Sequence, residues 1–343
     1  MQKLRLILLP FSWIYGFVTF LRNLFYDVEI FKSYLIPKKS ICVGNLAIGG
    51  TGKSPHVSYL VNLLKENTKI SILSRGYGRT TKGFILANEN SNGTEIGDEP
   101  KMYLSRFHPS VNVVVCEKRA EGVQKINSLF PDNDLIILDD AFQHRAVKAE
   151  INILLTDYSS LFSSDFVIPA GNLREWRIGR KRAKWIIVTK CPENISELEK
   201  QSIARKLKFK IENIFFSSIV YGKLISFDQK PLTDFKNILI VTGISNPTPL
   251  INHLSKDFTI KTMKFPDHHN YTIADIDRIH QNFDTFASES KVIITTEKDY
   301  MRFSEMISKT KMNDYPWFYQ SIEVKIDRED IFNNLVKQYV DTI

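Results

Sequence analysis

A glycine-rich segment followed by lysine and serine carries the strongest chemical signal in this chain. It reads V-G-N-L-A-I-G-G-T-G-K-S-P, from Val43 to Pro55. Such glycines let backbone N–H groups turn towards phosphate oxygens, while the lysine reaches the β- and γ-phosphates and the hydroxyl group binds Mg²⁺. The usual pattern has glycine where Ala47 stands, but a strand before the loop and a helical pattern after it supply the expected context. We therefore predict a nucleotide-phosphate loop formed by Ala47, Ile48, Gly49, Gly50, Thr51, Gly52, Lys53 and Ser54.

A phosphate loop of this kind also needs an acidic residue at the end of a neighbouring strand to hold its metal ion. The segment from Asp134 to Asp140 has four aliphatic residues and ends in Asp139 and Asp140. Either carboxylate could bind Mg²⁺ directly or through water. Together with Ser54 they form the predicted metal site, and the sequence does not separate their roles.

Three classes of phosphate-loop protein compete for this pattern. A GTPase would carry a guanine motif, but the segment Val188–Pro192 has proline where that motif ends in aspartate, and Thr296–Asp299 has the wrong order. An ATPase switch that cycles on a membrane often has a second lysine before the glycine pair, where this chain has Ile48. A small-molecule or lipid kinase remains, with the ATPase switch acting on a protein partner as the alternative.

A kinase acting on a hydroxyl group needs a general base. The segment G-D-E-P places Asp98 and Glu99 in one loop, and F-P-D-H-H-N-Y places His268 in another. A carboxylate that orients a histidine is one way to build a base. Whether the two loops meet, or the histidine is merely solvated, is left open by the sequence.

Basic residues follow several of the predicted strands, where an open parallel sheet binds its ligands. Arg75, Arg79, Arg119 and Arg145 all stand just after such strand ends. They indicate an anionic substrate, with unrelated surface charge as the alternative. The candidate substrate contacts are Arg75, Arg79, Glu99, Arg119, His144, Arg174 and Glu175.

An N-terminal helix is the most unusual element that accompanies this site. No charged residue occurs from Leu6 to Leu21, a run closed by Arg5 and Arg22 and shorter than the about 20 residues of a membrane span. Polar residues recur at helical spacing opposite an apolar side; the polar set is Ser12, Tyr15, Thr19, Arg22, Asn23 and Tyr26, and the apolar set is Phe11, Ile14, Phe17, Val18, Leu21, Leu24 and Phe25. Such an amphipathic helix packs either on the protein's own core or in a membrane surface, and the flanking basic residues favour the membrane.

The rest of the chain must position these groups. Short apolar runs alternate with helical patterns over most of the 343 residues, which predicts an α/β fold with a largely parallel sheet. We expect an N-terminal helix at residues 1–28, a phosphate-loop domain at 29–225 and a smaller α/β domain at 226–343. Two β-like stretches near 214–221 and 318–326 could pair as a ribbon between the domains.

The bulk composition limits the setting. The net charge is +8 and the pI about 9.1, which suits a nucleic acid, an anionic membrane surface or a phosphorylated substrate. The three cysteines are widely spaced and no secretory cleavage site follows the apolar run, so we expect a reducing cytoplasm.

The ordered set of motifs resembles the tetraacyldisaccharide 4'-kinases of lipid A biosynthesis over roughly residues 1–300. Besides the phosphate loop, the motifs are S-R-G-Y-G-R, G-D-E-P, L-D-D-A-F-Q-H-R, P-A-G-N-L-R-E, V-T-G-I-S-N-P and F-P-D-H-H-N-Y. This chain departs from the family at Ala47, at Ser54 in place of threonine, at Ala141 in place of glycine and at Trp176 in place of proline.

The resemblance implies a phosphate-loop kinase core, a smaller C-terminal domain and a two-stranded linker. It implies transfer of the γ-phosphoryl group of ATP, with Mg²⁺, to the 4'-hydroxyl group of a tetraacylated glucosamine disaccharide 1-phosphate. The expected partners are this lipid and a membrane surface, with no nucleic acid, and the expected form is a monomer on the cytoplasmic face of the inner membrane. Carried over by motif, Lys53 and Ser54 serve ATP and Mg²⁺, Asp139 and Asp140 serve the metal, and Asp98 is the base with His268 as its partner.

Overall fold

The fold is known from a computed structural model that describes residues 5–228, 234–267, 269–286, 290–303, 306 and 310–342. Within these ranges, twelve strands form one sheet in the order β12-β11-β13-β14-β10-β9-β8-β2-β6-β3-β5-β4, and β1 and β7 form a small second sheet. The strands are β1 (Tyr34–Leu35), β2 (Lys39–Asn45), β3 (Ile70–Ser74), β4 (Ile85–Leu86), β5 (Val111–Val115), β6 (Leu135–Asp139), β7 (Val147–Lys148), β8 (Ile151–Asp157), β9 (Trp185–Thr189), β10 (Ile214–Ser226), β11 (Asn237–Thr242), β12 (Thr259–Lys264), β13 (Lys291–Thr296) and β14 (Trp317–Ile326).

Helices cover the sheet and alternate with its strands along the chain. They are α1 (Leu9–Asp27), α2 (Lys53–Leu64), α3 (Gly93–Ile96), α4 (Asp98–Phe107), α5 (Arg119–Leu129), α6 (Glu197–Leu207), α7 (Thr248–Leu254), α8 (Ile273–Asp284), α9 (Glu297–Phe303) and α10 (Glu329–Asp341). Short 3₁₀ turns lie at Leu6–Leu8, Phe162–Ser164, Arg177–Arg182, Ile211–Asn213 and Lys311–Asp314.

The central strands are buried on both faces. Every residue of β3, β6 and β9 is buried, and these strands are mostly aliphatic. Continuous apolar strands of this kind are typical of a parallel sheet with helices on both sides, because neither face meets water. The two faces accordingly pack into separate apolar clusters, one around Ile41 and Leu60 and the other around Leu138 and Leu154. The predicted α/β class with a largely parallel sheet is confirmed.

A long antiparallel ribbon joins the two halves of the sheet. The stretches predicted to pair are β10 and β14, with Ser217 opposite Ile326 and Ser226 opposite Phe318. β10 continues the parallel strands of the first half through β9, and β14 continues those of the second half through β13. A register shift between Tyr221 and Leu224 interrupts the ribbon, and such irregularities bend and twist a strand pair.

Candidate active site

A cleft of about 990 Å³ lies where the two halves meet. Its lining comes from the phosphate loop, from turns after strands of both halves, from the ribbon and from α1. Predicted site residues that line it are Ile48, Gly49, Gly50, Thr51, Gly52, Lys53, Ser54, Arg75, Glu99, Asp139, Asp140, His144, Arg174 and Glu175. The structure therefore brings most of the sequence-predicted residues into one place.

The phosphate loop connects β2 to α2. Gly49 and Gly52 have φ angles of 108° and 85°, in the left-handed region where a side chain would be strained. Ala47 instead forms a short antiparallel bridge with Leu173. The backbone N–H of Ile48 donates to the carbonyl oxygen of Asn172 at 2.8 Å. An extended residue at position 47 needs no glycine, which explains why the departure from the usual pattern leaves the loop intact.

The end of β9 braces the same loop from the other side. The hydroxyl group of Thr189 donates to the carbonyl oxygen of Thr51 at 2.9 Å, and Nζ of Lys190 donates to that of Gly50 at 2.6 Å. Lys190 also pairs with Asp157 at 2.8 Å. The V-T-K-C segment is thus a support of the phosphate loop, although it lacks the aspartate of a guanine motif.

The two adjacent aspartates occupy opposite electrostatic environments. Asp139 is 4% exposed. Burial, and then the charges of Asp140 and Glu99, raise the pKa of Asp139 to about 6. Burial alone would also raise the pKa of Asp140. The charges of Lys53 and Arg174 instead hold the pKa of Asp140 below its ordinary value, and Nζ of Lys53 lies 3.6 Å from Oδ2. Arg174 binds both carboxylate oxygens of Asp140, at 2.9 and 3.2 Å.

A divalent cation fits the donors at this point. Asp139 accepts from the hydroxyl groups of Tyr103 at 3.1 Å and Ser74 at 3.5 Å through Oδ2, whereas its buried Oδ1 has no hydrogen-bond partner among the described residues. The hydroxyl-bearing Ser54 is buried and lines the same cleft. The described residues contain no cluster of three or more His, Cys, Asp or Glu suited to a metal. This sparse donor set suits Mg²⁺, which keeps several waters and takes few protein ligands besides substrate phosphates.

The G-D-E-P segment begins α4 and faces the second half of the chain. Nε of Arg302 donates to Oδ2 of Asp98 at 2.8 Å, and Nζ of Lys298 binds Oε1 of Glu99 at 2.8 Å. His268 lies outside the described residues. The neighbouring His269 lies 3.0 Å from Asp275 at the start of α8.

The predicted rim arginines divide into different roles. Arg75 lines the cleft. Arg79 is buried, pairs with Glu117 at 2.9 Å and donates to the carbonyl oxygen of Gly83. Arg145 pairs with Asp27 at 2.7 Å and so lies against α1.

Arg119 is 2% exposed, which is unusual for a charged side chain. Its Nη1 donates to the carbonyl oxygen of Cys116 at 2.8 Å, whereas Nε and Nη2 have no partner among the described residues. Burial lowers the pKa of Arg119 to about 10, even though the charges of Asp139 and Asp140 raise it. Burial also lowers the pKa of His144 to about 4, helped by the charges of Arg119 and Arg75. His144 is therefore neutral at neutral pH.

Helix α1 forms one wall of the cleft and turns its polar side inwards. Asn23 donates to Glu175 at 2.7 Å, and the hydroxyl group of Ser12 accepts from the backbone of Ala170 at 2.8 Å. Glu175 is itself buried and paired with Arg182 at 2.7 Å. The outward side is apolar and exposed; it consists of Phe11, Trp13, Ile14, Phe17, Val18, Phe20 and Leu24, and the exposed Ile7 lies in the 3₁₀ turn before the helix. In the described residues, the segment Leu6–Asp27 is the one helix long and apolar enough to cross a membrane, with a mean hydropathy of 1.3.

Some residues of the site escaped the sequence reasoning. Tyr103 binds Asp139 from the middle of α4, and His56 and Ser217 line the cleft beside the phosphate loop. Lys298 and Arg302 come from the T-E-K-D segment and the residues after it. In the sequence, the T-E-K-D segment fails as a guanine motif and belongs to the part of the chain that resembles the kinase family; its alternating acidic and basic residues are the available signal for ion pairs.

The chain is similar to known proteins over nearly its whole length. The model of the tetraacyldisaccharide-1-P 4'-kinase family matches residues 4–341. A tetraacyldisaccharide 4'-kinase from Flavobacterium psychrophilum is 41% identical, with 100% of this chain and 98% of the relative covered. One from Bacteroides thetaiotaomicron is 39% identical, with 97% and 92% covered. The crystal structure of the "apo" form of LpxK from Aquifex aeolicus in complex with ATP matches with a TM-score of 0.77 at 29% identity, covering 98% of this chain and 99% of that one.

Proposed function

Because the chain belongs to the tetraacyldisaccharide-1-P 4'-kinase family, we propose that it transfers the γ-phosphoryl group of ATP to the 4'-hydroxyl group of a tetraacylated glucosamine disaccharide 1-phosphate. It is a kinase of a sugar hydroxyl group, in lipid A biosynthesis. The observation that carries the proposal is a single cleft lined by the phosphate loop, the acidic pair and Glu99 of α4. One wall of this cleft is helix α1, whose outer face is apolar and exposed. The alternative of an ATPase switch acting on a protein partner has no comparable support.

The phosphate loop and its neighbours hold the nucleotide in this proposal. Backbone N–H groups between Gly49 and Ser54 would bind the phosphates, and the N-terminus of α2 would point its dipole at them. Lys53 neutralises the β- and γ-phosphates; in the described structure its Nζ lies 3.6 Å from Asp140 and so already points towards the acidic pair. Ser54 and Asp139 would hold Mg²⁺, with Asp140 beside them. When bound, the ion neutralises charge on the phosphates during transfer.

The acceptor side of the proposal uses α4 and the basic rim. Asp98 is the proposed general base, with His268 as its partner, and it receives the hydroxyl proton late in the transfer. Arg75 and His144 line the cleft together with the acidic pair and suit a substrate that already carries a phosphate, whereas Arg119 is buried. Arg174 and Glu175 belong to this proposed set, although each also has a partner within the protein.

The exposed apolar side of α1 supports membrane binding. Spanning a bilayer would strip Ser12 and Asn23 of the partners they have in the protein. We therefore propose that α1 lies in the membrane surface with its polar side kept on the protein, as interfacial helices do. This arrangement leaves the cleft beside the surface that holds the lipid acceptor.

We further propose a monomer on the cytoplasmic face of the inner membrane. The cleft is built from one chain, so a second copy is not needed to complete it. Cys42, Cys116 and Cys191 are buried and free, which fits a reducing compartment.

The proposed activity is tested by incubating the full chain with Mg-ATP and the lipid disaccharide 1-phosphate. We expect a bisphosphorylated lipid, and we expect Lys53→Ala to lower turnover about 10²-fold or more because a charge that stabilises the transition state is lost. A folded wild-type protein that forms no bisphosphorylated lipid would contradict the proposal.

The proposed base pair is tested separately. Asp98→Ala and His268→Ala should each lower turnover, and the double variant should lose less than the product of the two effects because the residues act together. Strictly multiplicative losses would argue against a coupled pair.

A further inference from the structure

Three segments of the C-terminal half converge on one buried carboxylate, Asp299. Its side chain is fully buried at 0% exposure. Oδ2 accepts from the hydroxyl group of Thr296 at 2.7 Å and from the backbone N–H of Gly243 at 3.1 Å. Oδ1 accepts from the hydroxyl group of Tyr271 at 3.2 Å and from Nη1 of Arg302 at 3.0 Å. The segments V-T-G-I-S, F-P-D-H-H-N-Y and T-E-K-D therefore share a single anchoring group.

Arg302 extends this network across the cleft. Its Nη1 binds Asp299 and the carbonyl oxygen of Gly243, at 3.0 and 3.2 Å. Its Nε and Nη2 both bind Oδ2 of Asp98 in the kinase half, at 2.8 and 2.7 Å. The planar guanidinium group thus connects the anchor in one half with the first residue of α4 in the other.

Because this network is largely buried, its side chains are held in fixed positions. The Arg302 side chain is 7% exposed and the Asp98 side chain 22% exposed. Burial raises the pKa of Asp299, while the hydroxyl group of Thr296 and the charge of Arg302 act against that rise. Buried charges need their partners in place, and a fully connected network of this kind rigidifies its members.

We propose that Arg302, held by Asp299, is a positioning residue that orients the Asp98 carboxylate for proton transfer. Through this contact, the C-terminal half fixes the geometry of a group that acts in the kinase half. The inference deepens the proposed function, because it takes Asp98 as the general base.

In this reaction the position of the general base matters more to the rate than its basicity does. Phosphoryl transfer passes through a loose transition state, so the acceptor hydroxyl group keeps its proton until late and catalysis depends mainly on positioning. A misplacement of about 1 Å can cost about 10²-fold in rate. An arginine fork that fixes one carboxylate oxygen from two nitrogens supplies such control.

A second ion pair between the same two helices provides the matched control. Arg106 of α4 binds Glu297 of α9, and both side chains are largely buried. This pair joins the two halves as the Arg302–Asp98 pair does, and both arginines line the cleft, but the described hydrogen bonds of Arg106 go to Glu297 and Ile322 and not to Asp98. If Arg302 serves only to dock the halves, then removing Arg106 should have the same consequences as removing Arg302.

The test compares Arg302→Met with Arg106→Met in the full chain, using Mg-ATP and the lipid disaccharide 1-phosphate. We expect both variants to lower the Tm, but only Arg302→Met to lower kcat about 10²-fold with the KM for ATP and lipid nearly unchanged. Arg302→Lys keeps the positive charge but cannot bind Asp98 and Asp299 through one guanidinium group. We therefore expect this variant to stay folded and to have a kcat nearly as low as that of Arg302→Met. Equal effects of Arg302→Met and Arg106→Met on kcat, or full activity of Arg302→Lys, would overturn the inference.

A double-variant series identifies the route of the effect. In an Asp98→Asn background, Arg302→Met should lower kcat little further, because the group it positions is already gone. A further loss of about 10²-fold would show that Arg302 does not act through Asp98. The failure of the proposed function is a different result, since it requires that the folded wild-type protein itself form no product.

Discussion

The hydroxyl group of Tyr15 donates to the carbonyl oxygen of Arg174 at 3.1 Å, and the guanidinium group of Arg174 binds Asp140. Two successive contacts, through Tyr15 and Arg174, therefore connect helix α1 to the acidic pair of the site. Arg22 adds a bond to the carbonyl oxygen of Gln143 at 3.2 Å. The helix is thus a wall of the cleft as well as the proposed membrane contact, and its two sides can be tested separately.

Changing the outer side of α1 should affect membrane binding and leave the fold intact. Phe11 and Phe17 are 62% and 59% exposed, so Phe11→Ser with Phe17→Ser removes apolar area that makes no core contact. Burial of one such side chain is worth about 1.5–3 kcal/mol, so binding to anionic phospholipid vesicles should fall about tenfold or more. The measurement is co-sedimentation with vesicles, together with the Tm.

Leu198→Ser is the control for this experiment. Leu198 is 79% exposed and lies on α6, which is not part of the proposed membrane-binding helix α1. Replacing it should therefore not change vesicle binding. If the double serine variant sediments with vesicles as the wild type does, another surface binds the lipid.

Changing the inner side of α1 should affect catalysis. A Cβ atom at Gly16 would lie 2.5 Å from Cε2 of Trp176, so Gly16→Ala should push the helix away from the cleft and weaken the Tyr15–Arg174 contact. We expect kcat to fall about tenfold and the Tm to fall by a few degrees, as overpacking costs about 1–3 kcal/mol. Val18→Ala, at an exposed position, should do neither, and Trp176→Leu should restore Gly16→Ala. An active Gly16→Ala protein would show that the helix position does not matter to the site.

The acidic pair should respond to neutralisation with opposite signs. The pKa of Asp139 is raised from 3.8 to about 6 by burial and by neighbouring acids, so its charge opposes folding above about pH 6 and not below about pH 4. Asp139→Asn should therefore raise the Tm of the ligand-free protein by about 2–5 °C at pH 7.5 and not at pH 4. It should also abolish activity by removing a proposed Mg²⁺ ligand.

Asp140→Asn is the counterpart. Its pKa is held down by Lys53 and Arg174 against the effect of burial, so its charge stabilises the fold above its unfolded pKa, and that stability is lost as the pH falls through the folded pKa. Asp140→Asn should therefore lower the Tm at pH 7.5. Thermal melts of the two variants at both pH values check the prediction; the same direction of change at pH 7.5 for both would contradict it.

The parts of this molecule that the sequence predicts are those whose signal is local. The phosphate loop and the acidic pair each lie within a few residues of a strand end, so the parallel sheet brings them together. Arg302, which binds Asp98, is 204 residues away, and no local pattern shows which arginine makes this contact. The same holds for Arg119, which stands at a predicted ligand edge but is buried there.

The amphipathic pattern of α1 was equally incomplete. It separates a polar side from an apolar side, yet both a core-packed and a membrane-facing helix satisfy it. The structure turns the polar side inwards, because the surface it meets is itself polar: Arg174, Glu175 and backbone carbonyl groups. Sequence periodicity cannot report the polarity of a surface formed about 150 residues later in the chain.

A last prediction concerns His56, which links the phosphate loop to the ribbon. Its Nδ1 lies 2.7 Å from the carbonyl oxygen of Gly52 and its Nε2 lies 2.9 Å from the hydroxyl group of Ser217. Burial lowers the pKa of His56 to about 4, although the bond to Gly52 opposes this. The ring is therefore neutral at neutral pH; Nδ1 donates to the carbonyl oxygen, and Nε2 accepts from the serine.

His56→Ala should leave the buried hydroxyl group of Ser217 unpaired, which costs about 1–3 kcal/mol, and should remove the shorter of the two hydrogen bonds to the carbonyl oxygen of Gly52. Because one of these groups belongs to Gly52, the KM for ATP should rise about tenfold, whereas Ser217→Ala, which leaves the Gly52 bond in place, should raise it less. A neutral histidine contributes stability above its unfolded pKa of 6.5, and this is lost as the pH falls through about 4. The free energy of unfolding should therefore fall less between pH 7 and pH 4.5 in His56→Gln than in the wild type. The other described histidines whose pKa is lowered, His144, His253 and His280, are present in both proteins, so the difference reports His56. Urea melts that show the same pH dependence for both would rule out the neutral buried ring.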